Sequence, residues 1–460
     1  MRRWYVTCLM ALVSGLASAQ PDRYERLVDQ LVTYYNESQF EQIYGLTAPD
    51  FQQKVTREAF VSIFRSVQQT SGRFTQHRLA QEKGAHKTYY LIGERQSHAL
   101  TMIVNDQGLA STLFIRPERV PMANTAEADL RISKIIDEWK GDVRSKGLVV
   151  CVYRQGQYDA TYLGTVEKGK AAAPGESTVF ELGSITKPLT GLILQAMIIE
   201  GKLNLSDPVN QFLPPQAQLP AVRGQPITFR HLVTHTSCLP RLPADLASTM
   251  KGFDNPYRYY TEENLLQYLP TLTLDCELGV EGVYSNLGAG LLGYVLTRVS
   301  GKSYAQLVQH YLVSPLGATG LGVLPQDERW ATGHNQFDQT QANWEFTDAL
   351  VGAGGLDASA NGMKTLLAFL LKPDQSLLGK AVTASVATQW KKQQELGTFW
   401  VTESMGDNKT LWHAGQTGGF NAFVGWVEGA QAGVFVLSNQ TGDIATRLGM
   451  AHLQRLSMGQ

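Results

Sequence analysis

Residues 180–187 read "FELGSITK", and the apolar stretch "PLTGLILQAMIIEGK" follows directly. The apolar spacing predicts a helix that opens at Ser184 as its N-cap, holds Pro188 inside its first turn and closes at Gly201. Ser184 and Lys187 then share one face, so an ammonium can sit beside a hydroxyl in the positive field of a helix N-terminus, which favours an alkoxide. A serine three residues ahead of a lysine is a weak pattern by itself. A second copy, Ser248 and Lys251 in "LASTMKGF", has no apolar helix behind it and is read as non-catalytic.

Two further clusters give Ser184 company. "GVYSNLGAGLLGYVL" carries Tyr284 and Asn286 ahead of an apolar helix, and "WHAGQTGGFNAFVGW" carries His413 and Gly415 at the start of a strand. S-x-x-K, Y-x-N and H-x-G in this order resemble the serine hydrolase family of class C β-lactamases, D-alanyl-D-alanine carboxypeptidases and related esterases and D-aminopeptidases. "ITFRHLVTHTSCLPRLP", "ATGH" and "AGGLDASANGMKTLLAFLL" extend the likeness across residues 126–460.

The resemblance implies an α+β, β-lactamase/transpeptidase-like fold, with an antiparallel sheet flanked by helices beside a helical lobe and the cleft between them. It also implies roles. The backbone N–H groups of Ser184 and Gln416 form the oxyanion hole, Asn286 bonds the substrate amide and holds Lys187, and His413 with Gly415 lines the leaving-group side. A serine hydroxyl needs a base within reach, and Lys187 and Tyr284 are expected to lower each other's pKa and act as a shared base.

Departures from the family pattern bear on substrate. His413 stands where class C β-lactamases carry lysine, which points to the peptidase and esterase branches. Ala414 lacks the hydroxyl with which the threonine of K-T-G can bind a carboxylate, so hydrolysis is expected to depend little on a free carboxylate in the substrate. Cys238 occupies a place where the family often has glycine, and "CELGVEGVYSN" lacks the usual Pro-Gly before the tyrosine. Tyr34-Tyr35-Asn36 repeats Y-x-N in a segment where packing roles are expected. His231 and His235, four apart on a predicted helix, lack the glutamate of H-E-x-x-H and are read as structural.

The chain has 460 residues, 43% of them hydrophobic and 18% charged, which predicts two or three globular domains. A net charge of −1 offers no basic surplus for phosphates, so nucleic acid is not an expected partner. A small-molecule or peptide substrate is expected, with peptidoglycan fragments and β-lactams the candidates that the family implies. Arg2 and Arg3, a short apolar run and Ala17-Ser18-Ala19 read as a signal peptide over 1–19, too short to span a bilayer, which predicts a secreted or periplasmic protein. Cys8 leaves with it. Of the remaining cysteines, Cys151 lies in the strand-like "GLVVCVY", which leaves Cys238 and Cys276 as the expected pair in a compartment that permits disulfides. No metal or organic cofactor is expected.

Helices "RYERLVDQLVTYY" and "TREAFVSIFRSVQQ", then strands "KTYYLIGER", "HALTMIVN" and "LASTLFIRP", predict a small α+β accessory domain over 20–118. Its pattern resembles the cone-shaped nuclear-transport-factor-like superfamily. A linker near 117–125 leads to the hydrolase domain, 126–460. The expected function is an exported serine hydrolase that acylates Ser184 with an amide or ester carbonyl. The rivals are a class C-type β-lactamase and a penicillin- or peptide-binding module without turnover.

Overall fold

The computed structural model describes residues 22–459 except 95, 118–123, 143–145, 168–171, 252–254 and 393. The signal-peptide segment and most of the expected linker therefore lie outside the described residues. The chain divides into two compact units, Met1–Pro121 and Met122–Gln460.

In the first unit, helices Arg23–Asn36 and Arg57–Ser71, with two shorter ones between, precede four antiparallel strands paired in chain order. The Thr56 side chain caps the second long helix by accepting from the Ala59 N–H. Leu27, Leu31, Phe60 and Phe64 from the helices share a core with Tyr89, Leu91, Leu100 and Met102 from the sheet. The first strand, Phe74–Lys83, has no counterpart in the sequence reading, because only Phe74 is buried and the strand shows no apolar alternation. Tyr35 and Asn36 serve structure here: the Tyr35 hydroxyl donates to the Gly72 carbonyl and the Asn36 amide to that of Phe74.

The second unit is built on an eight-stranded antiparallel sheet whose middle strands are Asn408–Gln416, Asn421–Val427, Ala432–Ser438 and Leu148–Arg154. Because side chains alternate along a strand, Val149, Cys151, Leu411, Val424 and Phe435 join the core of the helical lobe. Their neighbours Leu148, Val150, Phe423, Val434 and Val436 pack with Ile135 and Leu448 from helices Thr125–Gly141 and Ile444–Ser457. Helix Thr186–Ile199 runs through the lobe with every residue from Thr186 to Met197 buried. That explains its all-round apolar character, and each buried Leu or Ile stabilises the fold by about 1.5–3 kcal/mol.

Two loops of the lobe are fastened to each other. The Val283 N–H donates to the His235 carbonyl at 2.8 Å, the Asn286 N–H to the Arg241 carbonyl at 2.8 Å, and the Ser285 hydroxyl to the Pro240 carbonyl at 2.6 Å. Cys238 and Cys276 are bonded, and Cys151 is free and buried. Cys238 has φ of +63°, the left-handed conformation that glycine adopts without strain. Joining residues 38 apart restricts the unfolded chain. Replacing both cysteines by serine should therefore lower stability by about 2–4 kcal/mol. Denaturant unfolding of the two proteins checks this, and coincident curves would show the bond to be idle.

Candidate active site

Strand Val179–Glu181 feeds a 3-10 turn, Gly183–Ile185, which runs straight into helix Thr186–Ile199. Ser184 is not the N-cap that the sequence suggests. Ile185 occupies that position and gives no side-chain cap, because the tighter turn at the helix start takes up Ser184 itself. The Ser184 hydroxyl oxygen instead meets two other groups, Lys187 Nζ at 3.0 Å and Tyr284 Oη at 2.7 Å. Lys187 is fully buried, and its second bond, at 2.8 Å, goes to the Ala353 carbonyl. Its Nζ also lies 4.7 Å from the centre of the Tyr284 ring.

Asn286 departs from its expected place. No hydrogen bond joins it to Lys187; its Nδ2 reaches Tyr257 Oη at 3.4 Å, and its buried Oδ1 has no partner. Ser248 and Lys251 do not meet: the hydroxyl donates to the Asp245 carbonyl, and the ammonium lies over Tyr259.

His235 is a member of the site that the sequence reading placed elsewhere. The helix that carries His231 ends at Val233, so His235 lies beyond it, at φ of +57°. Its Nδ1 accepts from the Ser285 N–H at 3.1 Å, and its ring lies 4.5 Å from that of Tyr284. His231 Nδ1 accepts from the Thr228 N–H and closes a capping box. Among the described residues no group of three His, Cys, Asp or Glu side chains could hold a metal ion.

The other wall is strand Asn408–Gln416. Its alternation buries His413 and Gly415 on the Ser184 side, while Trp412 and Ala414 pack against the opposite core. His413 donates Nδ1–H to the Ala414 carbonyl at 2.7 Å. At Gly415 the strand meets the serine turn so closely that a Cβ would lie 1.9 Å from the Leu182 carbonyl oxygen and 3.1 Å from the Ser184 nitrogen. Gly183, at φ of +51°, is also tight: a Cβ there would lie 2.8 Å from the Gln416 nitrogen. Ser184, Asn286 and Gln416 line one cleft with Tyr257, Trp344 and Phe346. The Tyr257 and Phe346 rings stack at 4.5 Å, and Trp344 meets Tyr257 edge-on at 5.1 Å.

The family model described as Beta-lactamase matches residues 132–458. The chain belongs to the beta-lactamase family. Among the relatives of this family member, D-alanyl-D-alanine-carboxypeptidase/endopeptidase AmpH of Escherichia coli (strain K12) is 28% identical over 246 residues, covering 53% of this chain and 63% of that protein. Esterase EstB of Burkholderia gladioli is 29% identical over 229 residues, covering 46% and 56%. Both matches span less than two thirds of the relative's own length. The crystal structure of a beta-lactamase/D-alanine carboxypeptidase from Yersinia pestis, complexed with citrate, superposes with a TM-score of 0.59 at 23% identity, over 72% of this chain and 98% of that one. The fold is thus the β-lactamase/transpeptidase-like one.

Burial sets the charges in this beta-lactamase-family cleft. It holds the Lys187 amine well below the usual lysine range, and the positive charge of Arg241 pushes the same way. It raises the Tyr284 phenol to about 12, although the bond to Ser184 and the charge of Arg241 both pull it down. The expected mutual lowering therefore does not occur at Tyr284: desolvation of the phenolate outweighs the charge of Arg241. His413 is pushed down to about 3 by burial and by the charge of Lys187, and His235 well below its ordinary range by burial. Near neutral pH Tyr284 is thus a phenol, and His413 and His235 are neutral imidazoles. Beneath them Glu181, raised to about 7 by burial, accepts from the Trp344 N–H at 2.7 Å and so ties the aromatic wall to the strand ahead of Ser184.

Proposed function

We propose that this beta-lactamase-family hydrolase is exported and forms an acyl-enzyme on Ser184, cleaving an amide or ester of a peptide, a D-amino-acid peptide or a small ester. The observation that carries this is the position of Ser184 Oγ, 2.7 Å from Tyr284 Oη and 3.0 Å from Lys187 Nζ. Burial favours the neutral Lys187 amine, whose lone pair takes the serine proton across that contact while Oγ attacks the carbonyl carbon. An Oγ–C bond forms and the carbonyl oxygen becomes an oxyanion, met by the N–H groups of Ser184 and Gln416. Collapse breaks the bond to the leaving group. Tyr284 gives that group a proton and recovers one from the Lys187 ammonium. Water then repeats the sequence and releases the acid. Asn286, whose Oδ1 is buried without a partner, supplies an acceptor for a substrate amide N–H. The neutral His413 stands beside the leaving-group path, and Gly415 keeps the strand close.

The apolar leader "VTCLMALVSGLASA" and the Cys238–Cys276 bond both favour an oxidising compartment outside the cytoplasm. Among the described residues no helix is long and apolar enough to cross a membrane. The helices packed on a four-stranded antiparallel sheet support reading the first unit as an accessory domain of nuclear-transport-factor-like pattern. A β-lactamase proper ranks second, because His413 stands in place of the lysine. A module that only binds ranks third, because Ser184, Lys187 and Tyr284 meet at bonding distance.

Incubation with a fluorescent penicillin and with 4-nitrophenyl acetate, followed by intact mass, tests the proposal. A covalent adduct on the wild type and none on Ser184→Ala is the expected result. A Ser184→Ala protein that still acquires the label, or a wild type that neither labels nor turns over the ester, would overturn it.

A further inference from the structure

Arg241 is an exposed cation at the catalytic cluster. Its guanidinium carbon lies 5.1 Å from the centre of the Tyr284 ring, the ring whose hydroxyl touches Ser184. Among the described residues its side chain makes no ion pair and no hydrogen bond. Its backbone is nevertheless fixed, since the Arg241 carbonyl accepts from the N–H groups of Asn286 at 2.8 Å and Leu287 at 3.3 Å, and the adjoining Pro240 carbonyl accepts from Ser285. A guanidinium beside the Tyr284 ring, on a fastened loop and among the described residues with no acid of its own, is equipped to receive a carboxylate from outside.

On the reading of Ser184 and Tyr284 given above, we propose that Arg241 is the specificity-determining residue that binds a carboxylate on the leaving group of the substrate. The side follows from the ring: Tyr284 delivers its proton to the leaving group, and Arg241 lies against that same ring. Ala414 offers the strand wall no polar side-chain atom, and its methyl packs toward the opposite core. Anion recognition thus comes from the loop wall of the cleft. Burial disfavours the charged forms of the remaining groups at the cluster, Lys187, His235 and His413.

The test compares 3-carboxyphenyl acetate with its methyl ester, which lacks the charge on the leaving group. A second pair, 4-nitrophenyl 4-carboxybenzoate and its methyl ester, carries the charge on the acyl group. The wild type should favour the acid of the first pair in kcat/KM by roughly tenfold, less at high salt because the guanidinium is exposed. Arg241→Gln should bring that ratio close to one, and Arg241→Lys should keep part of it. A purely structural Arg241 would lower both members of a pair alike and leave the ratio where it was. An unchanged ratio in Arg241→Gln, a wild-type ratio near one, or a preference confined to the acyl-charged pair would overturn the inference. Failure of the wild type to turn over any of the four esters would instead sink the acyl-enzyme reading on which it rests.

Discussion

Lys187→Met should lower kcat by at least about 10³-fold and yet leave the protein more stable than the wild type. The first effect follows from the loss of the group that takes the Ser184 proton, since a positioned base is worth about 10²–10⁴. The second follows from the cost of burying an amine whose hydrogen-bond partners among the described residues are the Ser184 hydroxyl and the Ala353 carbonyl. Because the folded pKa is depressed while the unfolded chain titrates near 10.5, the unfolded state binds the extra proton below that pH. Wild-type stability should therefore rise as pH rises toward 10.5, and in Lys187→Met that slope should flatten. The pH–rate profile provides a second reading. Wild-type kcat/KM should fall as pH drops through the lowered Lys187 pKa, because an ammonium cannot accept the serine proton. Tyr284→Phe removes the acid but leaves the amine, so it should lose about 10² in kcat while keeping that acid limb. A Lys187→Met enzyme that turns over a neutral ester at near-normal rate, or that melts below the wild type, would defeat the assignment.

The same residues show what a sequence can reveal here. Ser184, Lys187 and Tyr284 were legible because each sits at a helix start or loop with a short, chemically unusual pattern, and the large α+β unit because its apolar periods are strong. The Phe74–Lys83 strand was not, since a strand with one buried residue carries no alternation. His235 was misplaced for a different reason: its spacing from His231 mimics a helix that the chain ends at Val233. The protonation states were out of reach altogether. Motifs bring Lys187 and Tyr284 together on paper as two charges, whereas burial in the folded lobe disfavours the charged form of each. Arg241 escaped notice because nothing in "LPRLP" distinguishes a cation at a cleft from one on any loop. Its importance rests on the Tyr284 ring beside it and on the absence of an acid partner among the described residues.

Gly415→Ala is the second substitution with a large expected effect, and it acts without removing any functional group. The constraint is space. A methyl at Gly415 would stand 1.9 Å from the Leu182 carbonyl oxygen, where backbone faces backbone and no side chain can turn aside. Strand and serine turn must then separate by more than about 1 Å to restore van der Waals contact. That separation falls between Ser184 and Gln416, the two amides proposed to hold the oxyanion, and such donors work only within about 2.7–3.1 Å of the developing charge. Losing one such donor costs about 10²–10³ in kcat, so Gly415→Ala should fall by that amount. KM should move little, since the contact matters chiefly in the transition state. The forced fit should also cost about 1–3 kcal/mol of stability, far less than unfolds a domain of this size. Ala414→Ser, one residue earlier on the opposite face, is the control and should change kcat by only a few-fold. Steady-state kinetics on a neutral ester, with thermal melts of all three proteins, separates the outcomes. Normal kcat in a folded Gly415→Ala would show that the strand does not shape the catalytic geometry at Ser184.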